Sequence, residues 1–274
     1  MSHPPVDLPD ALATVAETAP LVTAVTNRVT VADVAQTVDH WGALPVMSED
    51  EREVDELVAV AGGLLLNVGT ITASQEETML AASEAASDHD VPVVLDPVGA
   101  GATDTRDRVS ATLADHGVAA ICGNYGEITA LTGADAEVRG VESVGDYDDI
   151  AETAVACARQ SDAVVVASGE TDVVATTDAA YEVAVGTPEM GEVVGTGCTL
   201  GATLAAFLAA LPAERGALAA TAAFGLAGEA AAAEEFGSVS GPASFQTAMR
   251  DAVAGLAATA PDASDRITRV LAPE

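Results

Sequence analysis

Short apolar runs alternate with helix-like stretches along most of this chain, and nearly every run ends on glycine or a polar residue. Leu21–Val25 reads as a strand and Thr30–Trp41 as a helix. The run Leu64–Val68 ends at Gly69, and Ser74–Ser87 is helical. Pro92–Leu95 is a buried strand ending at Asp96, followed by a helix near Asp104–His116. Val118–Ile121 and Ala163–Ala167 are further strands, and Tyr125–Leu131 and Asp149–Gln160 further helices. Strands that are apolar on both faces and separated by helices require a parallel sheet covered on both sides. Asp172–Thr177 and Tyr181–Thr187 lie close enough for an antiparallel pair, expected at the sheet's edge. From Thr199 onward the chain reads as Ala-rich and almost wholly helical. At 274 residues, with no linker, repeat or shift in composition, the sequence implies one α/β domain over 1–274.

In open parallel sheets the functional groups gather at the carboxyl ends of the strands. The polar residues of this chain collect there: Asn67–Thr70, Asp96–Thr103, Gly123–Glu127, Ser168–Glu170 and the turn Gly195-Thr196-Gly197-Cys198. That last turn follows Val193-Val194 and opens a long uncharged helix, Thr199–Leu211. Its two glycines let the backbone aim successive N–H groups at one point, and the helix adds unpaired N–H groups and a positive dipole end. The expected product is an anion site suited to a phosphate in transit. Plain helix packing is the competing reading. A dinucleotide fingerprint fits less well so late in the chain, and Gly, Thr and Pro212 argue against a membrane span over Val193–Leu211.

Charge narrows the function further. There are 43 acidic and 10 basic side chains, a net charge of −33, and every base is arginine. Such a surface repels nucleic acid and anionic lipid, so neither is an expected partner. With 49% apolar residues the chain is not a disordered acidic protein. The surface suits a concentrated-salt cytoplasm, where ions screen acidic repulsion, and it predicts unfolding or lost activity in dilute buffer. Without lysine, Walker A and Schiff-base chemistry are excluded. Three widely spaced cysteines argue against a disulfide framework or zinc site, and Met1–Asp10 lacks a secretory pattern; a cytoplasmic protein is expected.

Asp96 leaves a strand directly into a glycine-rich loop, where an acid holds Mg2+ and orients phosphates, or caps loop N–H groups. Asn124 and Glu127 are either a phosphate and metal pair or a helix N-cap with its N3 partner. Cys198 reads two ways: a small buried hydrophobe, or a thiolate favoured by a helix N-terminus. Cys157 reads as core. His3, His40, His89 and His116 share no spacing for metal or triad chemistry.

Taken together these motifs resemble the hydroxyethylthiazole kinase family, enzymes of thiamin salvage with a ribokinase-like three-layer α/β/α fold. The matching stretches are Val25–Asn27, Gly42–Met47, Leu66–Thr70, Asp96–Thr103, Gly123–Glu127, Arg139–Ser143, Ser168–Glu170 and Val193–Cys198. The resemblance implies ATP-dependent phosphorylation of a thiazole alcohol. It places Met47, Asn27 and Gly195 on that alcohol, and Ser168, Asn124, Asp96 and position 122 on ATP. It puts Asp96 and Glu127 on Mg2+, and makes Gly195, Thr196, Gly197 and Cys198 the anion hole. It also implies a homotrimer with sites at subunit interfaces, Met47 facing a neighbour. Two departures stand out: Cys122 replaces the family's arginine, with Arg28, Arg106 or Arg139 available to compensate, and Val31–Gln36 lacks the family's asparagines. The alternatives are a hydroxymethylpyrimidine (phosphate) kinase and a non-catalytic nucleotide- or thiazole-binding regulator.

Overall fold

Nine strands form one sheet in the computed structural model, which describes residues 6–133, 138–139, 142–143, 147, 149–259 and 261–272. The chain begins with α1 (Leu8–Thr18), β1 (Leu21–Val25), α2 (Val31–His40), β2 (Leu44–Met47), α3 (Glu51–Val58) and β3 (Gly63–Asn67). It continues with α4 (Ala73–Asp88), β4 (Val93–Asp96), α5 (Asp104–Ala114), β5 (Ala120–Asn124) and α6 (Tyr125–Leu131). A small separate pair, β6 (Val138–Arg139) and β7 (Glu142–Ser143), comes next. Then follow α7 (Ile150–Ser161), β8 (Val164–Ser168), β9 (Asp172–Ala175), β10 (Ala180–Val183) and a 3-10 turn, Pro188–Glu192. Helices α8 (Thr196–Leu208), α9 (Ala213–Ala232) and α10 (Pro242–Thr259), a turn Ser264–Arg266, and β11 (Ile267–Leu271) complete the order.

Across the sheet the strands run β2-β1-β3-β4-β5-β8-β9-β10-β11. All pairs from β2 to β8 are parallel, and the last three pairs are antiparallel. The chain steps from β1 out to β2, then returns to the far side of β1 with β3. The carboxyl ends of β1 and β3 therefore flank the point where strand order reverses, the place such sheets open a crevice.

Both faces are covered, as the continuous apolar strands require. Leu65, Val94 and Val166 pack with Leu12, Val38, Phe207 and Phe224 under α1, α2 and α8–α10. Leu64, Leu66, Leu95 and Val165 pack with Val54, Met79, Leu113 and Val155 under α3–α7. Trp41 closes the end of α2 on α8: its ring meets Phe207 edge-on at 5.5 Å and its indole N–H donates to Thr203 Oγ1 at 2.9 Å. That contact fixes α8, whose first turn belongs to the functional site.

Several elements differ from the sequence reading. β11 interrupts the expected helical tail, and because it covers β10 the β9–β10 pair is not the edge. Ile-Thr-Arg-Val-Leu is only five residues long and follows an Ala-rich helix, so its alternation carries little weight alone. β2 contains Pro45, which an edge strand tolerates and an interior strand does not. α3 is so charged that Val54 and Val58 alone are buried, and α1 precedes the first element the apolar pattern marks. α8 starts at Thr196, three residues before the expected helix. Gly140 and Val141, within the stretch matched to the family, lie outside the described residues.

Candidate active site

At the reversal point between β1 and β3, two buried asparagines meet. Asn27 Oδ1 accepts the N–H groups of Val29 at 2.9 Å and Thr30 at 3.0 Å, which folds the loop after β1. Its Nδ2 donates to Asn67 Oδ1 and Thr30 Oγ1, each at 2.9 Å, and to Cys198 Sγ at 3.3 Å. Asn67 Oδ1 also accepts Gly69 N–H at 3.0 Å, and Asn67 Nδ2 donates to Asp96 Oδ2. One hydrogen-bonded chain thus links the ends of β1, β3 and β4 to the start of α8. Every polar atom on that path has a partner, so burying it is tolerable and its geometry is fixed.

Asp96 lies at the centre of this chain. Burial, and then the charge of Glu127, hold its carboxyl well above the usual carboxylate range, against the hydrogen bonds from Asn67 and Cys198. Glu127 is only 4% exposed. It accepts Gly99 N–H at 2.6 Å and Asn124 N–H at 2.8 Å, while Asn124 Oδ1 accepts Glu127 N–H at 2.9 Å. This is a capping box that also anchors the loop after β4. Burial pushes Glu127 up to about 7, opposed by those N–H groups and by Arg106. No group of three or more His, Cys, Asp and Glu side chains among the described residues forms a ready metal cage. The two carboxylates nonetheless suit a hard cation that arrives with its own oxygen ligands. The charge of Glu127 raises Asp96's need for positive charge, and the hydrogen-bonded oxygens Asp96 Oδ2, Glu127 Oε1 and Glu127 Oε2 each retain a lone pair.

Gly195 caps α8 with φ +97, and a methyl on it would collide with Thr30 Cγ2. Both facts restrict this position to glycine. Thr196 N–H returns to Val193 O at 3.4 Å, and its hydroxyl donates to Met190 O at 2.9 Å or Val193 O at 2.8 Å. No side chain caps the helix, so the Gly197 and Cys198 N–H groups are the ones that α8 directs outward. Thr196 holds the turn together; Gly197 and Cys198 present it. Cys198 behaves differently from a helix-terminal thiolate. Burial first, and the Asp96 charge second, push its thiol up to about 12, outweighing the bonds from Thr30, Asn67 and Asn27.

Beside this turn opens a cavity of about 590 Å³, lined by Ser168, Gly169, Glu170, Asp172, Met190, Thr196, Gly197 and Phe224 among others. Its size is that of a small-molecule or cofactor site. The start of α8 separates it from the asparagine chain, touching the cavity through Gly197 and the chain through Cys198.

Of the residues singled out in the sequence, Asn27, Asp96, Cys198, Gly195 and Glu127 come together, and Ser168 lines the cavity. Met47 is half-buried at the carboxyl end of the edge strand β2. Asn124 is the cap of α6. Cys122 is in the core and only 2% exposed, packed on the α8 side of β5 rather than on the cavity wall. Burial pushes its thiol upward, and Asp96, Asp172 and Glu127 add to that. Arg28 pairs with Glu49 at 3.5 Å on the surface, whereas Arg106 bonds Val98 O at 3.1 Å and Gly69 O at 2.6 Å, clasping two rim loops. Asp172 was not anticipated: it accepts Gly169 N–H at 3.1 Å, and burial pushes it up to about 7. Its one signal in the sequence is a place at the end of a glycine turn.

The sequence model of the hydroxyethylthiazole kinase family matches residues 12–259. The chain belongs to that family. Hydroxyethylthiazole kinase of Natronomonas pharaonis is 57% identical over 97% of this chain and 96% of its own length. That of Haloquadratum walsbyi is 55% identical over 96% and 93%. The structure of hydroxyethylthiazole kinase from Pyrococcus horikoshii OT3 superposes with TM-score 0.86 at 31% identity, covering 96% and 98%. A ribokinase-like protein of Enterococcus faecalis, at TM-score 0.60 and 12% identity, shares the fold alone.

Proposed function

We propose that this protein transfers the γ-phosphoryl group of ATP to the hydroxyl of 4-methyl-5-(2-hydroxyethyl)thiazole, in thiamin biosynthesis and salvage, as a single kinase domain over 1–274. The observation that carries the reading is the position of the α8 turn, with an open cavity on one side and a buried polar chain on the other. A phosphoryl group moving between ATP and an alcohol passes such a point. ATP occupies the cavity beside Ser168. The alcohol lies on the far side of the turn, toward Asn27, Gly195 and Met47. The outward N–H groups of Gly197 and Cys198 take up charge on the transferring group. Phosphoryl transfer asks mainly for alignment and charge stabilisation, so a neutral Cys198 thiol positions the accepting oxygen and need not remove its proton first. Mg2+ would neutralise the phosphates when bound, and Asp96 and Glu127 are the side chains that would hold it.

The reading extends to assembly and setting. Val29 and Val194 are 67% and 77% exposed on the loops that meet where Thr30 touches Gly195. A homotrimer with sites at its interfaces would cover them. Three free thiols fit a reducing cytoplasm, and the −33 charge fits molar salt. One assay tests the catalytic reading: protein in high salt with ATP and Mg2+, offered the thiazole and the hydroxymethylpyrimidine alcohols. Thiazole phosphorylation is expected; turnover of the pyrimidine alone, or binding without turnover, overturns it.

A further inference from the structure

The cavity wall formed by Val185–Gly191 carries one short 3-10 turn, Pro188–Glu192, and no longer helix or strand. Within it, Met190 N–H reaches Thr187 O at 3.1 Å, and beyond it Val193 N–H reaches Met190 O at 3.5 Å. What holds the wall lies behind it, away from the cavity. Arg266, from the turn before β11, donates through Nε to Ala184 O at 2.7 Å, and its own carbonyl accepts Ala184 N–H at 2.8 Å. Arg266 Nη2 donates to Glu229 Oε1 on α9 at 2.7 Å. The same oxygen accepts Gly186 N–H at 3.1 Å. One carboxylate oxygen thus joins the arginine to the wall's backbone.

The wall also rests directly on the α9 backbone. A methyl on Gly225 would overlap Val185 Cγ2 and stand 3.1 Å from Gly186 N. A methyl on Gly228 would overlap the Met190 thioether. From Met190 the connection passes to the anion turn, since Met190 O accepts the Thr196 hydroxyl.

We infer that Arg266 and Glu229 are positioning residues for the nucleotide. Without lining the cavity, they set the Val185–Gly191 wall against Gly225 and Gly228, and through Met190 they set the first residue of α8. This rests on the reading of the cavity as the ATP site. The alcohol side has supports of its own in Asn27, Asn67 and the contact of Thr30 with Gly195, so disturbing the clamp acts chiefly on the nucleotide. A purely structural role would lower the melting temperature and leave ATP affinity intact in folded protein.

The test uses the full chain in molar salt, comparing wild type with Arg266→Ala, Arg266→Lys, Glu229→Gln and Gly225→Ala. ATP binding is followed by calorimetry, both KM values by steady-state kinetics, and folding by thermal melts. Removing the guanidinium in Arg266→Ala should raise the ATP Kd and KM roughly tenfold; Glu229→Gln removes the charge that holds Arg266 but keeps an acceptor for Gly186 N–H, and should raise them by about threefold. The KM for the thiazole alcohol should stay within about twofold, because its supports are untouched. Arg266→Lys should fall between, keeping the charge but not the two-pronged geometry. Gly225→Ala should raise the ATP KM by moving the wall itself. Unchanged ATP affinity in folded variants, or equal rises in both KM values, overturns the inference alone. If Arg266→Ala does not fold, Glu229→Gln and Gly225→Ala decide. A wild type that phosphorylates the alcohol yet binds ATP with Ser168→Trp unimpaired would instead sink the reading of the cavity, and the inference with it.

Discussion

The two sides of the α8 turn are built in opposite ways. On the side we assign to the alcohol, Asn27 is bonded to Asn67 and Asn67 to Asp96, all three buried, so side chains set the geometry. On the side we assign to the nucleotide, four glycines are interspersed with larger side chains such as Met190, Leu200 and Phe224, and the wall is held from behind by Glu229 and Arg266. A small alcohol offers one hydroxyl to place, which suits a rigid polar chain. A nucleotide is larger and offers phosphates to many N–H groups, which suits a shaped wall. The first arrangement fails abruptly when one member is lost; the second loosens by degrees.

Asn67 is the most severe test of that contrast. Asn67→Leu leaves Asn27, Gly69 N–H and Asp96 without their shared partner. It should cost about 3 kcal/mol of stability in urea unfolding and on the order of 100-fold in kcat/KM for the alcohol. Equal losses for both substrates would show that the two sides are not separately built. Next is Asp172. Its folded pKa of about 7 lies above the usual 3.8, so its contribution is fully present below about pH 4 and disappears as pH rises through 7. Asp172→Asn keeps an acceptor for Gly169 N–H and should remove a fall of on the order of 3 kcal/mol between those limits. Unfolding curves at pH 5 and pH 8 check it, and an unchanged difference between them would refute it.

Gly195→Ala strikes both sides at once, since the substitution needs a disfavoured backbone and meets Thr30. A cost of about 2 kcal/mol, with kcat reduced roughly tenfold, is the expected outcome. The smallest effect belongs to Cys198→Ser, which can keep both the bond from Asn27 and that to Asp96. Activity should remain within about threefold, with no change in the pH profile up to pH 9. Loss of turnover with both substrates still bound would mean that the thiol acts more directly than as a positioning group.

Strand and helix alternation was legible because buried parallel strands such as Leu64–Leu66 carry apolar residues on both faces. The glycine turn that opens α8 was legible because Gly195 and Gly197 stand directly before a long uncharged stretch, although a 3-10 turn rather than a strand precedes it. β2 and β11 were not, since short edge strands have weak patterns and depend on their neighbours. The acidic surface, the lack of lysine and the family motifs likewise belong to the sequence. Only the tertiary structure decided that Cys122 is core, that Thr196 is occupied by its own turn, and that burial outweighs the helix dipole at Cys198. It alone paired Asn27 with Asn67 across 40 positions and brought Arg266 behind the cavity wall. The reason is physical: propensity and periodicity act over a few neighbouring residues, whereas burial, charge and hydrogen-bond partners are set by residues far apart in sequence.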